Sequence, residues 1–318
     1  MRASAFALVA VLCATAARAG DNDLELYRLG HPDALPCSRC DGSSGDVPEP
    51  GDLSAQTRFH HFTSTLGLAF IPPFQEMAQT TGQSGFEIGF STNLAFPRIA
   101  PEAWPTLGTQ AAGGPPPVLA FPTIAVHKGL GASVEVGTAI SYYIGSQMVG
   151  LTGEVRWAPI DGIGYAPDLA LRAWATRVVG SQDLDLTIGG VDALLSKSIG
   201  VAGMAKLQPY AQGGIAMVNA LSGVVDFKPG ISSPTNPTAR DGVFRNVNLF
   251  DNRFYRATAG LRLVAGAVVL GVEGGVALGN NAIQSDNLPA AQCSGGSCKA
   301  PSEFVRVWSA SARLGFVF

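Results

Sequence analysis

The chain has 318 residues, of which 47% are hydrophobic and only 14% charged, with 39 glycines and a formal net charge of −3. A water-soluble domain of this size ordinarily carries about a quarter charged residues, and the lack of a basic cluster gives nucleic-acid binding no support. Past the amino terminus no run of about eighteen apolar residues occurs, so membrane-spanning helices are not expected either.

At the amino terminus Arg2 precedes an apolar stretch from Ala5 to Leu12, and Ala17-Arg18-Ala19 sets small residues ahead of Gly20. That is the pattern of a secretory signal over residues 1–19, cleaved after Ala19. Cys13 follows the bulky Leu12 inside the apolar core and is expected to leave with the signal. Residues 20–83 read as an irregular segment: glycine, proline and polar residues dominate 41–58, and Pro72-Pro73 interrupts the apolar run from Thr65 to Phe74. Within it, Cys37-Ser38-Arg39-Cys40 has the spacing of redox and metal motifs. No alternating strand–helix pattern surrounds it, and Asp41 stands where covalent haem attachment needs histidine. No second cysteine pair lies nearby for zinc, His31, His60 and His61 being the remaining candidates. A local disulfide is expected, with no metal site and no cofactor.

From residue 84 onward the signal is alternation with a period of two. Phe86, Ile88, Phe90, Leu94 and Phe96 oppose Glu87, Ser91 and Asn93. The stretch 118–128 is weaker, because Pro122 suits a bulge or an edge better than a paired strand. Val134, Val136 and Ile140 oppose Glu135 and Ser141; Leu151, Val155 and Trp157 oppose Thr152, Glu154 and Arg156; Leu169, Leu171 and Ala173 oppose Asp168, Arg172 and Trp174. Over 183–196 the pattern starts with Leu184, Leu186 and Ile188 and changes phase at Gly189-Gly190, as a bulge would make it do. Alternation returns over 207–221, 254–265 and 268–278, setting Tyr210 and Gln212, then Arg256 and Arg262, then Glu273 on the polar face.

The final stretch carries Trp308, Ala310, Ala312, Leu314, Phe316 and Phe318 on one face and Ser309, Ser311 and Arg313 on the other. It resembles the closing strand of Gram-negative outer-membrane β-barrels. The resemblance implies an all-β, antiparallel transmembrane barrel of about ten strands over 84–318, with eight or twelve as open alternatives. It also implies residence in the outer membrane among its lipid and lipopolysaccharide. Trp308, Phe316 and Phe318 would form the signal read by the barrel-assembly machinery. Loop lengths agree at the extremes: with the carboxyl terminus in the periplasm, 97–117, 222–253 and 279–302 fall outside, whereas Lys128–Gly131 and Gly266-Ala267 fall inside. Residues 20–83 would then be periplasmic or inserted into the lumen. The oligomeric state stays open.

Seven charged residues, Glu87, Glu135, Glu154, Arg172, Arg262, Glu273 and Arg313, fall on inward positions toward the inner ends of their strands. Arg262, Glu273 and Arg313 lie on successive strands, and closure brings Glu87 beside Arg313. Unpaired burial would cost several kcal/mol each, so these groups are expected to pair. The leading functional expectation is a narrow channel or transporter for small solutes, with this layer as a constriction. The alternative is a closed, structural barrel with recognition by its outer loops. Cys293 and Cys298 flank Ser-Gly-Gly-Ser in the last outer loop and are expected to form a disulfide. Outer-membrane hydrolases resemble one another in placing histidine at the outer rim. Here His31, His60 and His61 precede the barrel and His127 falls at an inner strand end, so catalysis is not expected.

Overall fold

The computed structural model describes residues 20–32, 54–112, 115–162, 166–201, 203–227, 241–250, 252–281 and 303–318. The signal segment and Cys37, Cys40, Cys293 and Cys298 lie outside the described residues. Ten long strands form the wall: β1 (Phe86–Pro97), β2 (Leu119–Gly131), β3 (Val134–Tyr142), β4 (Val149–Ile160) and β5 (Asp168–Val179), then β6 (Leu184–Ser196), β7 (Ala205–Ser222), β8 (Arg253–Ala265), β9 (Val268–Asn281) and β10 (Glu303–Val317). Each pairs antiparallel with its neighbours in sequence, and β10 pairs with β1 from Glu87↔Val317 to Pro97↔Val307. The sheet therefore closes on itself and leaves no long edge unpaired. One end, the base, holds Phe318, whose backbone exchanges hydrogen bonds with Phe86. The long connections leave from the other, loop end.

Alternation sorts the side chains as the sequence predicts. Phe90, Ile124, Ile140, Leu151, Trp157, Leu171, Leu261, Val272 and Trp308 all stand exposed on the outer wall. An apolar surface running right round a molecule exceeds what a soluble monomer tolerates, and it is what a hydrocarbon layer requires.

Three expectations about the wall change. Pro122 lies in a regular strand, opposite Thr92 of β1. It sits just past the last pair that β2 makes with β3, Thr123↔Ser141, so its missing N–H interrupts no ladder there. The bulge expected at Gly189-Gly190 is absent: β6 runs in register with β5 and β7 throughout. Its inward side carries Leu184, Leu186 and Ile188 and then Asp192, all buried. The face does not switch; its chemistry does. The turn expected at Lys128–Gly131 also moves on, since β2 continues to Gly131 and the reversal uses Gly131, Ala132 and Ser133 at φ of 92°, 49° and 57°.

Residues that precede the wall lie inside it. Helix α1 (Ala55–Ala69) occupies the loop half of the lumen and buries every residue but Arg58. Ser54 caps its start, its hydroxyl oxygen accepting from the Thr57 N–H at 3.1 Å. Pro72-Pro73 prevents the helix from continuing, since proline brings no N–H donor. Phe59 stacks on Phe244 at 4.6 Å, Phe62 meets Trp104 at 5.1 Å, and Phe70 meets Phe121 at 4.8 Å. Leu186, Ile188, Val218 and Phe254 complete this apolar upper core.

The loop end is capped from three sides. Residues 20–32 run across it, with Leu24 bridged to Thr106 and the Asn22 N–H donating to the Gly145 carbonyl at 3.0 Å. A short helix α2 (Leu107–Ala112) lies in the β1–β2 connection. In the β7–β8 connection Arg245 exchanges two hydrogen bonds with the Gln56 side chain of α1, each 2.9 Å. The chain thus enters at the loop end, descends through the lumen and joins β1 at the base.

Candidate functional site

Below α1, residues 70–85 form an extended strap through the lower lumen, where the wall turns from apolar to charged. Glu87 pairs with Arg313 at 2.7 Å and with Arg262 at 2.5 Å. Asp192 accepts from Arg172 at 2.7 Å, Arg256 at 3.0 Å and the Trp174 indole N–H at 2.9 Å. Gln212 also accepts from Arg172, at 2.6 Å. Glu135 pairs with Arg156. Glu273 accepts from the Tyr210 hydroxyl at 3.0 Å. These are wall-to-wall contacts, and the side chains involved are buried.

The strap supplies the remaining partners. Arg313 donates to the Phe74 carbonyl at 3.0 Å, and Arg156 donates to that of Met77. The Gln75 N–H reaches Glu273 at 3.2 Å, and its side-chain amide reaches Ser311 at 2.6 Å. The Ala78 N–H donates to Ser196 at 2.9 Å, and the Thr81 N–H to Glu135 at 2.7 Å. Glu76 lies 2.6 Å from His127 and 3.0 Å from Arg156. The Arg172 guanidinium carbon lies over the Phe74 ring, 3.4 Å from its centre, a favourable cation–π arrangement in a desolvated setting.

Glycine makes this crowding feasible at several wall positions, Gly89 and Gly137 among them. A Cβ at Gly89 would lie 2.3 Å from Nε of Arg313, and one at Gly137 would lie 2.2 Å from the His127 ring and 2.6 Å from Glu154. The Arg313 and His127 side chains both lie across bare backbone. Gly137→Ala is therefore expected to destabilise the folded barrel by about 1–3 kcal/mol through overpacking. Urea titration of gel mobility before and after boiling checks this.

All seven charged residues singled out from the sequence point inward and are buried. They close on one another and on the strap rather than lining an open ring. Cavities of about 20 Å³ beside Pro72, Arg256 and Glu273, and about 10 Å³ beside Phe74, His127 and Glu154, are each near the size of one water. Sequence reasoning missed Glu76, His127, Arg156, Asp192 and Arg256 as members of the layer. Arg156 and Arg256 stand on the inward face of the same alternation, so that signal was present. Asp192 was hidden by the supposed phase change, and Glu76 lies on no strand. The histidines expected away from the rim also move: His31 packs on Phe227 of the β7–β8 connection, and His60 and His61 lie in the first turns of α1.

No family model matches the chain, and no curated protein matches it. Among solved structures, it is similar to the attachment invasion locus protein Ail of Yersinia pestis, at 8% identity over 74% of this chain and 99% of that one, TM-score 0.27. It is also similar to the outer membrane protease OmpT of Escherichia coli, at 9% identity over 74% and 96%, TM-score 0.34. The translocator domain of the Neisseria meningitidis autotransporter NalP is similar at 9% identity over 81% and 92%, TM-score 0.30. At such scores the likeness carries no weight. The outer-membrane barrel class follows from this chain's own closed topology, its apolar outer wall and its charged interior.

Proposed function

We propose that this outer-membrane barrel is sealed, its lumen filled by its own amino-terminal segment, and that it acts as an anchor presenting a binding surface at the loop end. The observation that carries this reading is the strap's integration into the charged layer. Withdrawing residues 70–85 would take Glu76 from Arg156 and Gln75 from Glu273, and it would uncover the Phe74 carbonyl's donor, Arg313. Breaking buried charge pairs on one side only costs several kcal/mol each. The layer therefore serves as a fastening for the strap, whereas a constriction would need those groups free to face a solute.

With Phe318 at the periplasmic end, residues 20–32, helix α2 and the β7–β8 connection lie together on the cell surface, where recognition would take place. An epitope inserted between Gly20 and Asp21 is expected to bind antibody on intact cells at a level unchanged by permeabilisation. Labelling that appears only after permeabilisation would place that end in the periplasm and defeat this reading.

A further inference from the structure

We propose that Glu76, His127 and Glu154 form a divalent transition-metal site, of the zinc class, that fastens the strap to the barrel wall. The three residues come from the strap, β2 and β4, and all are buried. One donor atom from each, a carboxylate oxygen, an imidazole nitrogen and a second carboxylate oxygen, lie within 4.8 Å of one another. Both oxygens converge on the same nitrogen, Nε2 of His127, from 2.6 Å for Glu76 and 2.8 Å for Glu154. A single N–H aims its proton at one acceptor, so the second carboxylate oxygen is poorly served. A cation at the shared point serves all three, and one imidazole with two carboxylates is a donor set that zinc-class ions accept.

The surroundings fit. Bonds of about 2.0–2.2 Å in tetrahedral geometry set ligand atoms roughly 3.3 Å apart, so the three side chains must open by about half an ångström. The cavity of about 10 Å³ beside His127 and Glu154 leaves these two side chains room to shift. Each carboxylate turns its other oxygen toward an arginine: Glu76 toward Arg156 at 3.0 Å, and Glu154 toward Arg172 at 4.0 Å. Such outer contacts orient ligands. Arg156 and Arg172 are also held by Glu135 and Asp192, which keeps their charge from acting on the cluster alone. Arg313 stands 3.9 Å from the Glu76 oxygen that faces His127.

Glu76, Glu87, Glu135, Glu154, Asp192 and Glu273 outnumber Arg156, Arg172, Arg256, Arg262 and Arg313 by one, leaving an excess negative charge that a bound cation would offset. A proton on His127 also supplies positive charge, and the test must separate the two. The donors stand far apart in sequence, on three elements, so no spacing motif announces the site.

The full barrel, unfolded in urea with chelator, is refolded into detergent with zinc chloride or with chelator, then dialysed and its zinc counted by atomic emission. The expected result is one zinc per folded barrel in the wild type, with a higher melting temperature than the chelator-refolded protein. His127→Gln should retain none. Glu154→Gln should bind at least tenfold more weakly. His60→Gln and His61→Gln, on α1, should keep the metal. Gel mobility before boiling identifies the folded fraction in each case. Folded wild type without zinc, or zinc retained in His127→Gln, overturns the proposal. A zinc-free barrel whose strap loosens as pH rises assigns the cluster to a proton instead. Should His127→Gln fail to fold, Glu154→Gln decides the matter: zinc held there as tightly as in the wild type overturns the proposal.

Discussion

Asp192→Ala is expected to cost the barrel about 3–5 kcal/mol, the usual penalty for removing one partner of a buried ionic group. Asp192 is 3% exposed and accepts from three donors, Arg172, Arg256 and Trp174. Its loss leaves two guanidinium groups beside the Phe74 ring, at 3.4 and 5.2 Å from the ring centre, with no shared counter-charge. Asp192→Asn keeps the volume and one acceptor oxygen, so it should fall between the variant and the wild type. Urea refolding midpoints in phospholipid vesicles measure both. A loss below about 1 kcal/mol for the alanine variant would mean that these pairs are solvated, as surface pairs are.

A chain lacking residues 54–83 is expected to fold, less stably, into a barrel that leaks small solutes. The wall keeps its own links without the strap: Glu87 to Arg262 and Arg313, and Asp192 to Arg172 and Arg256. Strand pairing is continuous round the barrel, so closure does not depend on the contents. Stability falls because Leu119, Phe121, Leu186, Ile188, Val218 and Phe254, buried against the inner segment, would then face water. Each such side chain forfeits roughly 1.5–3 kcal/mol of burial. Swelling of sugar-loaded vesicles measures the leak. A shortened chain that folds and stays tight would show that the wall seals itself, leaving the strap no sealing role.

The wall was legible because lipid outside imposes one constant requirement on every outward position. Phe90, Leu151, Trp157, Leu261 and Trp308 all meet it. The interior imposes two requirements, apolar around α1 and charged around the strap. Strand β6 crosses from one to the other, which is why Leu184, Leu186 and Ile188 share a face with Asp192 and imitate a phase change. Helix α1 was hidden for a related reason. Buried on nearly every side, it shows no apolar stripe against a polar one, and Thr63-Ser64-Thr65 are indifferent helix formers. Glu76 has no periodic neighbours to reveal its direction. The path of the chain was hidden as well: position ahead of the first strand does not tell whether a segment stays at the base or crosses to the loop end, as Leu24 and His31 do.

Current recordings across planar bilayers holding purified wild-type barrel test the sealed lumen most directly. The strap and α1 predict no steady current above that of the bare membrane, with heat-modifiable protein confirmed in the same preparation. A stable, ohmic single-channel current from the wild type, with ion selectivity that shifts toward cations in Arg262→Ala, would contradict the seal and make the charged layer a constriction after all.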